Sequence, residues 1–357
     1  MTDKKFSKFS VIRLNTKNLY LLAVPISLIF TAFADKILPP QYLRDSNYFT
    51  ARIESRVSGY SDSFQQVVDV YKFLSIEKPT LWIRILEWLI FFTALLVVRS
   101  EKFNTGNSIS ADVLSICYLT FLPLYGSLFS KEFFVALFFL PTLFLLKYST
   151  KQSSFIILLI FALVISILIR PYFIITFLST IILYLLNNRK WITKFLTIVL
   201  SFAIISAIDS KLQLSNRFLG VNLFNLRNEI NANVSIEANT KISQNQYTSN
   251  IFNNISIYLK VILDMVMPLK VLSLRLYSLA IFIASFIIAF CLNLAYFSKK
   301  YGKYPEASFL CAFFITSTIF EPDLGSFSRH GFLYILLVIR ILYVQMQSIV
   351  LNINRAS

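Results

Sequence analysis

Long apolar runs alternate with short polar turns along nearly the whole chain. A membrane-crossing helix needs about 20 mostly apolar residues. Ten stretches approach that pattern: Leu19–Phe33, Leu81–Val98, Val113–Phe129, Phe133–Leu146, Phe155–Ile169, Phe173–Leu186, Phe195–Ile208, Leu276–Phe297, Phe309–Phe320 and Gly331–Gln345. Where a stretch is short, the adjoining polar turn is expected inside the mouth of a bundle, shielded from lipid. Ile255–Leu269 carries Lys260, Asp264 and Pro268, and reads as an interfacial or re-entrant helix. The pattern predicts an all-α integral membrane protein, one transmembrane domain over residues 1–357 with about ten crossing helices. Two long loops interrupt it, Ala34–Thr80 and Asp209–Asn254.

Composition agrees. Hydrophobic residues make up 56% of the chain and charged residues only 15%, against roughly 25% charged in soluble domains. That excludes an ordinary soluble domain and a disordered chain. The net charge of +16 would suggest nucleic acid in a soluble protein. Here the bases punctuate apolar runs, and no aromatic–basic platform or Cys/His finger accompanies them, so no nucleic-acid partner is expected. With the N-terminus cytoplasmic, the short inner segments collect Lys4, Lys5, Lys8, Arg13 and Lys17, then Arg99 and Lys102, Lys147 and Lys151, Arg189, Lys190 and Lys194, Lys299, Lys300 and Lys303. The short outer turns hold one strong base each: Lys131, Arg170 and Arg329. This asymmetry follows the positive-inside rule and puts both termini in the cytoplasm. Met1 to Asn18 is basic and lacks a small-residue cleavage site, so an uncleaved first helix is expected. Cys117, Cys291 and Cys311 lie in apolar runs without metal or redox spacing. Seven glycines leave no nucleotide-binding loop.

Four polar groups interrupt the apolar pattern, and all map to the outer face. Asp35-Lys36 and Pro39-Pro40 follow the first helix and lead to Arg44-Asp45-Ser46. Ser130-Lys131-Glu132 sits between two runs, with Ser130 a natural N-cap and Glu132 in the first helical turn, where the dipole favours a carboxylate. Arg170-Pro171-Tyr172 breaks the stretch from Phe155 to Leu186; Arg170 is expected at the bundle mouth, either in use there or snorkelling to headgroups. Glu321-Pro322-Asp323-Leu324-Gly325-Ser326 runs on to Arg329-His330, read as an outer helix start, and His330 is the single histidine.

This set suits one kind of chemistry. A planar guanidinium binds phosphate through paired, charge-assisted hydrogen bonds. Arg44, Arg170 and Arg329, with Lys131, would form a cationic site where a lipid pyrophosphate headgroup lies. A nearby histidine or carboxylate can take the proton of an attacking hydroxyl. One histidine without a cysteine beside it does not make a zinc site. The carboxylates of Glu321-x-Asp323 are chemically able to hold a divalent cation but specify none, and the reading takes no metal and no cofactor.

In order along the chain, Pro39-Pro40 with Arg44-Asp45-Ser46, Ser130-Lys131-Glu132, Arg170-Pro171-Tyr172, and Glu321-Pro322-Asp323-Leu324-Gly325-Ser326 with Arg329-His330 resemble the motifs of Wzy-type polysaccharide polymerases, the membrane polymerases of O-antigen and capsule assembly. The resemblance implies a GT-C-like glycosyltransferase of the bacterial inner membrane. It implies substrates that are glycans on undecaprenyl pyrophosphate, joined at the periplasmic face, with a chain-length regulator and a flippase as further partners. It assigns Arg170 and Arg329 to the leaving pyrophosphate, with Lys131 assisting. His330, Glu321 or Asp323 would activate the acceptor hydroxyl, with Arg329 beside them in the catalytic group. Arg44 and Asp45 would shape the sugar or lipid site, and Glu132, Tyr172 and Ser326 belong to the same binding group. The loop Asp209–Asn254 would close over the glycan, although it holds only scattered arginines where many such polymerases carry several arginine motifs. Two other readings share the lipid chemistry. Another polyprenyl-phosphate-dependent glycosyltransferase or ligase would need carboxylates just after the first helix, a place Asp35 and Asp45 leave open. A lipid-linked glycan transporter would need charges along a crossing cavity, where only Arg84, Glu87 and Arg340 stand.

Overall fold

The computed structural model describes residues 16–37, 43–54, 63–100, 108–125, 130–212, 251–269, 276–298, 301–320 and 324–356. Among them it is all-helical, without a strand. The helices are α1 Thr16–Ala32, α2 Ala34–Ile37, α3 Arg44–Glu54, α4 Ser63–Phe73, α5 Leu81–Arg99, α6 Ile109–Tyr125, α7 Lys131–Lys147, α8 Lys151–Leu168, α9 Phe173–Leu185, α10 Trp191–Leu212, α11 Ile251–Val266, α12 Leu276–Phe297, α13 Pro305–Phe320, α14 Leu324–Phe332 and α15 Ile335–Ala356. Among the described residues, two helices are long and apolar enough to cross a bilayer, α5 and α8, and a third crossing results if α14 and residues 335–345 of α15, bent by 45°, count as one.

Over their described residues the ten predicted stretches are mainly helical, with corrections in and around them. Ala34–Thr80 is not a plain loop, because α3 and α4 lie inside it and pack on each other. Their polar, amphipathic sequences lack the long apolar run that marked the other helices. Gly331–Gln345 is not one helix either: its helix begins at Leu324 and breaks at Leu333–Tyr334. His330 therefore lies in the last turn of α14 and not at a helix start. Of the loop read at Asp209–Asn254, α10 covers the first residues, and 213–250 fall outside the described residues. The segment read at Ile255–Leu269 is mostly α11, which packs on α10, α12 and α13.

α13 is the axis of the bundle. α8, α9, α11, α12 and α15 all pack against it, and every residue from Pro305 to Ile319 is buried. In lipid, helix association depends on packing and interhelical hydrogen bonds more than on apolar transfer. Here Thr176 of α9 donates to Thr316 of α13 at 2.8 Å, and Ser308 donates to Asn187 at 3.0 Å. The α14–α15 break is held by rings: Tyr334 meets Phe313 at 4.5 Å and Phe139 and Phe309 at 5.5 Å, while Phe332 stacks on Tyr118 at 4.3 Å. Each such pair contributes about 0.5–1.5 kcal/mol beyond burial.

Gly331 brings α14 against α12. A Cβ there would stand 2.6 Å from Cγ2 of Ile288, itself fully buried. Gly331→Ala should therefore destabilise the fold by about 1–3 kcal/mol through overpacking. Thermal unfolding in detergent measures this, and an Ile288→Ala background should remove most of the loss. Equal melting of Gly331→Ala and wild type would mean the helices separate at no cost.

Candidate functional site

Four residues from three separated motifs meet at one end of the bundle. Glu132 is in the first turn of α7, Arg170 in the break between α8 and α9, and Arg329 and His330 in the last turn of α14. Each location has a local cause. Pro171 has no N–H to continue the helix and disfavours helical backbone at Arg170; α8 ends at Leu168, and Arg170 N–H donates back to Ile165 O at 2.8 Å. Arg329 and His330 at a helix C-terminus match the dipole, as Glu132 does at an N-terminus.

The carboxylate is the hub. Oε1 of Glu132 lies 2.5 Å from Arg170 Nη2, 2.7 Å from His330 Nε2 and 3.6 Å from Arg329 Nε. The first two are hydrogen-bond distances; the third is an ion-pair approach beyond hydrogen bonding. Donation by Nε2 to a carboxylate makes Nδ1 the basic nitrogen of the neutral ring. Side-chain exposure is 6% at Glu132, 4% at Arg170 and 8% at His330, rising to 18% at Arg329, so the cluster opens on the Arg329 side. Glu132 precedes the apolar run Phe133–Leu146. Burial alone would raise its pKa, but Arg329, His330 and Arg170 outweigh burial and hold the carboxyl well below the usual carboxylate range.

Two expectations about these residues change. Ser130 occupies the N-cap position of α7 without a side-chain cap hydrogen bond; its carbonyl accepts from the Tyr71 hydroxyl at 3.3 Å instead. Glu132 does more than meet a helix dipole, since it faces three cationic-type side chains. Arg170 is buried in the bundle and does not snorkel.

Among the other predicted residues, Lys131 is half-buried beside Glu132 and Ser326 is buried one turn before Arg329. Tyr172 stacks on Phe320 with ring centroids 5.3 Å apart, flooring the break that holds Arg170. Arg44 and Asp45 open α3, with side chains outside what the structure describes, and Glu321 and Asp323 lie outside the described residues. Ser328 is linked by its hydroxyl to Ser285 of α12, which ties α14 down next to Arg329.

Sequence reasoning gave no site role to Glu87 and Tyr71. Glu87 is fully buried on α5, next to Tyr71 and within electrostatic reach of Glu132. An acidic residue inside an apolar run was the available signal; Tyr71 offered none, since a tyrosine in an amphipathic helix is unremarkable. One turn earlier, Arg84 donates to Asp35 at 2.6 Å and to Pro79 O at 3.2 Å, pinning α2 to the start of α5. The Arg84 hydrogen bond lowers the pKa of Asp35 below its ordinary value. Arg340 forms a different buried ion pair, with Glu306, and also donates to Leu146 O at 2.6 Å, at the far end of α7 from Glu132.

No family model, no curated protein and no solved structure matches this chain.

Proposed function

We propose that the protein is a polytopic membrane glycosyltransferase, with about ten crossing helices of GT-C-like arrangement. On this reading it polymerises glycan repeat units carried on undecaprenyl pyrophosphate, at the periplasmic face of the bacterial inner membrane. The observation that carries the proposal is the convergence of Arg170, Arg329 and His330 on Glu132, from motifs far apart in sequence. Support for the membrane setting comes from the apolar helices α5 and α8 and from the charge asymmetry of the short turns.

The chemistry follows from the residues. The guanidinium groups of Arg170 and Arg329 bind the pyrophosphate and stabilise the charge that builds on it as the bond from the sugar's anomeric carbon to its oxygen breaks. The acceptor hydroxyl oxygen forms the new bond to that carbon. Its proton passes to Nδ1 of His330, and Glu132 on Nε2 stabilises the resulting imidazolium. Lipid pyrophosphate leaves with the electron pair of the broken bond.

The test is chain length in cells. Arg170→Ala and His330→Ala should reach the membrane at wild-type level yet leave only unpolymerised repeat units on a glycan gel. Wild-type length distributions in both variants would reject the assignment.

A further inference from the structure

Glu87 is fully buried in the second turn of α5, and neither of its carboxyl oxygens has a hydrogen-bond partner. An ionised carboxylate is not kept in such a place without a paired base or several donors. Three ionisable groups face it: Arg84, Tyr71 and Glu132. Arg84, one turn earlier, is taken up by Asp35 and by Pro79 O. Glu132 is itself an anion and opposes a second one nearby. Tyr71 is the remaining neighbour, and its hydroxyl donates to Ser130 O at 3.3 Å.

The Tyr71 ring is fully buried and held by Phe134 at 4.9 Å, Phe49 at 6.2 Å and Phe133 at 6.5 Å between centroids. Its one hydroxyl proton therefore has two acceptors beside it, the Ser130 carbonyl and the Glu87 carboxyl. A carboxylate would be the stronger acceptor, since charge-assisted hydrogen bonds are about twice as strong as neutral ones. The proton nonetheless goes to Ser130. That direction is the one expected when Glu87 is a neutral acid, whose own O–H can use the Tyr71 oxygen as acceptor. The direction matters for the site. Ser130 is the N-cap of α7, and its side chain makes no cap hydrogen bond. Tyr71 steadies that helix start from outside, two residues before Glu132.

We infer that Glu87 is a positioning residue that works as a neutral carboxylic acid. It donates to Tyr71, keeps the Tyr71 proton on the Ser130 carbonyl, and so fixes the seat from which Glu132 meets Arg170, His330 and Arg329. Its part in the reaction rests on the polymerase reading above; its protonation state does not.

The experiment has two arms, both on the purified full-length protein. The first is infrared difference spectroscopy of wild type against Glu87→Gln at neutral pH, in detergent. The C=O stretch of a protonated carboxyl stands apart from carboxylate and amide bands. The difference spectrum should carry one such band, present in wild type and lost in Glu87→Gln; its absence overturns the inference. The second arm is the elongation of lipid-linked repeat units by protein reconstituted in vesicles. Glu87→Gln, whose amide also donates to Tyr71 without charge, should elongate like wild type. Glu87→Leu fills the space but cannot donate, and Tyr71→Phe removes the bond to Ser130. Both should elongate roughly three- to ten-fold more slowly, the effect of one net hydrogen bond. A folded Glu87→Gln protein as slow as Glu87→Leu would mean that the carboxyl works as an ion. A Glu87→Leu protein at the wild-type rate would mean that no donor is needed. Either result overturns the inference. Should Glu87→Leu not purify as a monodisperse protein, Tyr71→Phe carries the comparison, and a wild-type rate there overturns the inference equally. No elongation by wild type would overturn the polymerase reading and the part of Glu87 in the reaction, while the infrared arm still decides its protonation state.

Discussion

A protein carrying Arg340→Met and Glu306→Leu together should unfold close to the wild-type temperature and still make long glycans, whereas Glu306→Leu alone should lose about 3–5 kcal/mol of stability. The Arg340–Glu306 pair is buried, with side-chain exposures of 7% and 1%. Removing one partner strands the other as an uncompensated charge, while replacing both with apolar side chains of similar volume removes two desolvation costs along with their attraction. Leu146 O, which Arg340 also serves, accepts from the Ser149 hydroxyl at 2.8 Å and is not orphaned by the exchange. Thermal unfolding in detergent gives the stabilities, and a glycan gel gives the function. A double variant as unstable as the single one would mean that the pair specifies the packing of α13 on α15, beyond cancelling charge.

The same exchange at the other end of α7 should end differently. Glu132→Leu should also cost about 3–5 kcal/mol, because it removes the acceptor from Arg170 and His330 and the counter-charge from Arg329. Adding Arg170→Met should recover only part of this, since Arg329 and His330 still face the gap. Chain elongation should be absent in the single and the double variant alike, even when stability is partly restored. The contrast between the two exchanges separates an ion pair that supports the fold from one that serves the proposed reaction. Long glycan chains from the Glu132→Leu/Arg170→Met protein would remove the cluster from the mechanism.

Much of the fold was legible because an apolar run of membrane length admits few conformations other than helix. The failures have particular causes. The break at Leu333–Tyr334 has no proline to announce it; the close approach of Gly331 to Ile288 and the rings around Tyr334 create it, and both are tertiary facts. The helical character of α3 and α4 is hidden in the sequence because their apolar positions are scattered in amphipathic order. At the site, Lys131-Glu132, Arg170 and Arg329-His330 are legible one motif at a time, as polar residues interrupting apolar sequence. What a linear reading lacks is pairing. It could place an acid at a helix start and three bases on one face, but it could not say that one oxygen of Glu132 meets them. For the same reason Arg340 stands out in the sequence as an internal charge, while its partner Glu306, at the start of a different helix, does not.

The enclosure of α13 also bears on how the protein is made. Ser308, Thr316, Ser317 and Thr318 ride on a helix with no side turned outward. On the membrane reading proposed above, such a segment has little to gain during synthesis from leaving the translocon for lipid by itself. Its neighbours α8, α9, α11 and α12 are all made before it, so they can form a waiting slot into which it passes directly. Biogenesis would then be ordered by the chain itself, with the innermost helix arriving late and α15 closing the slot behind it.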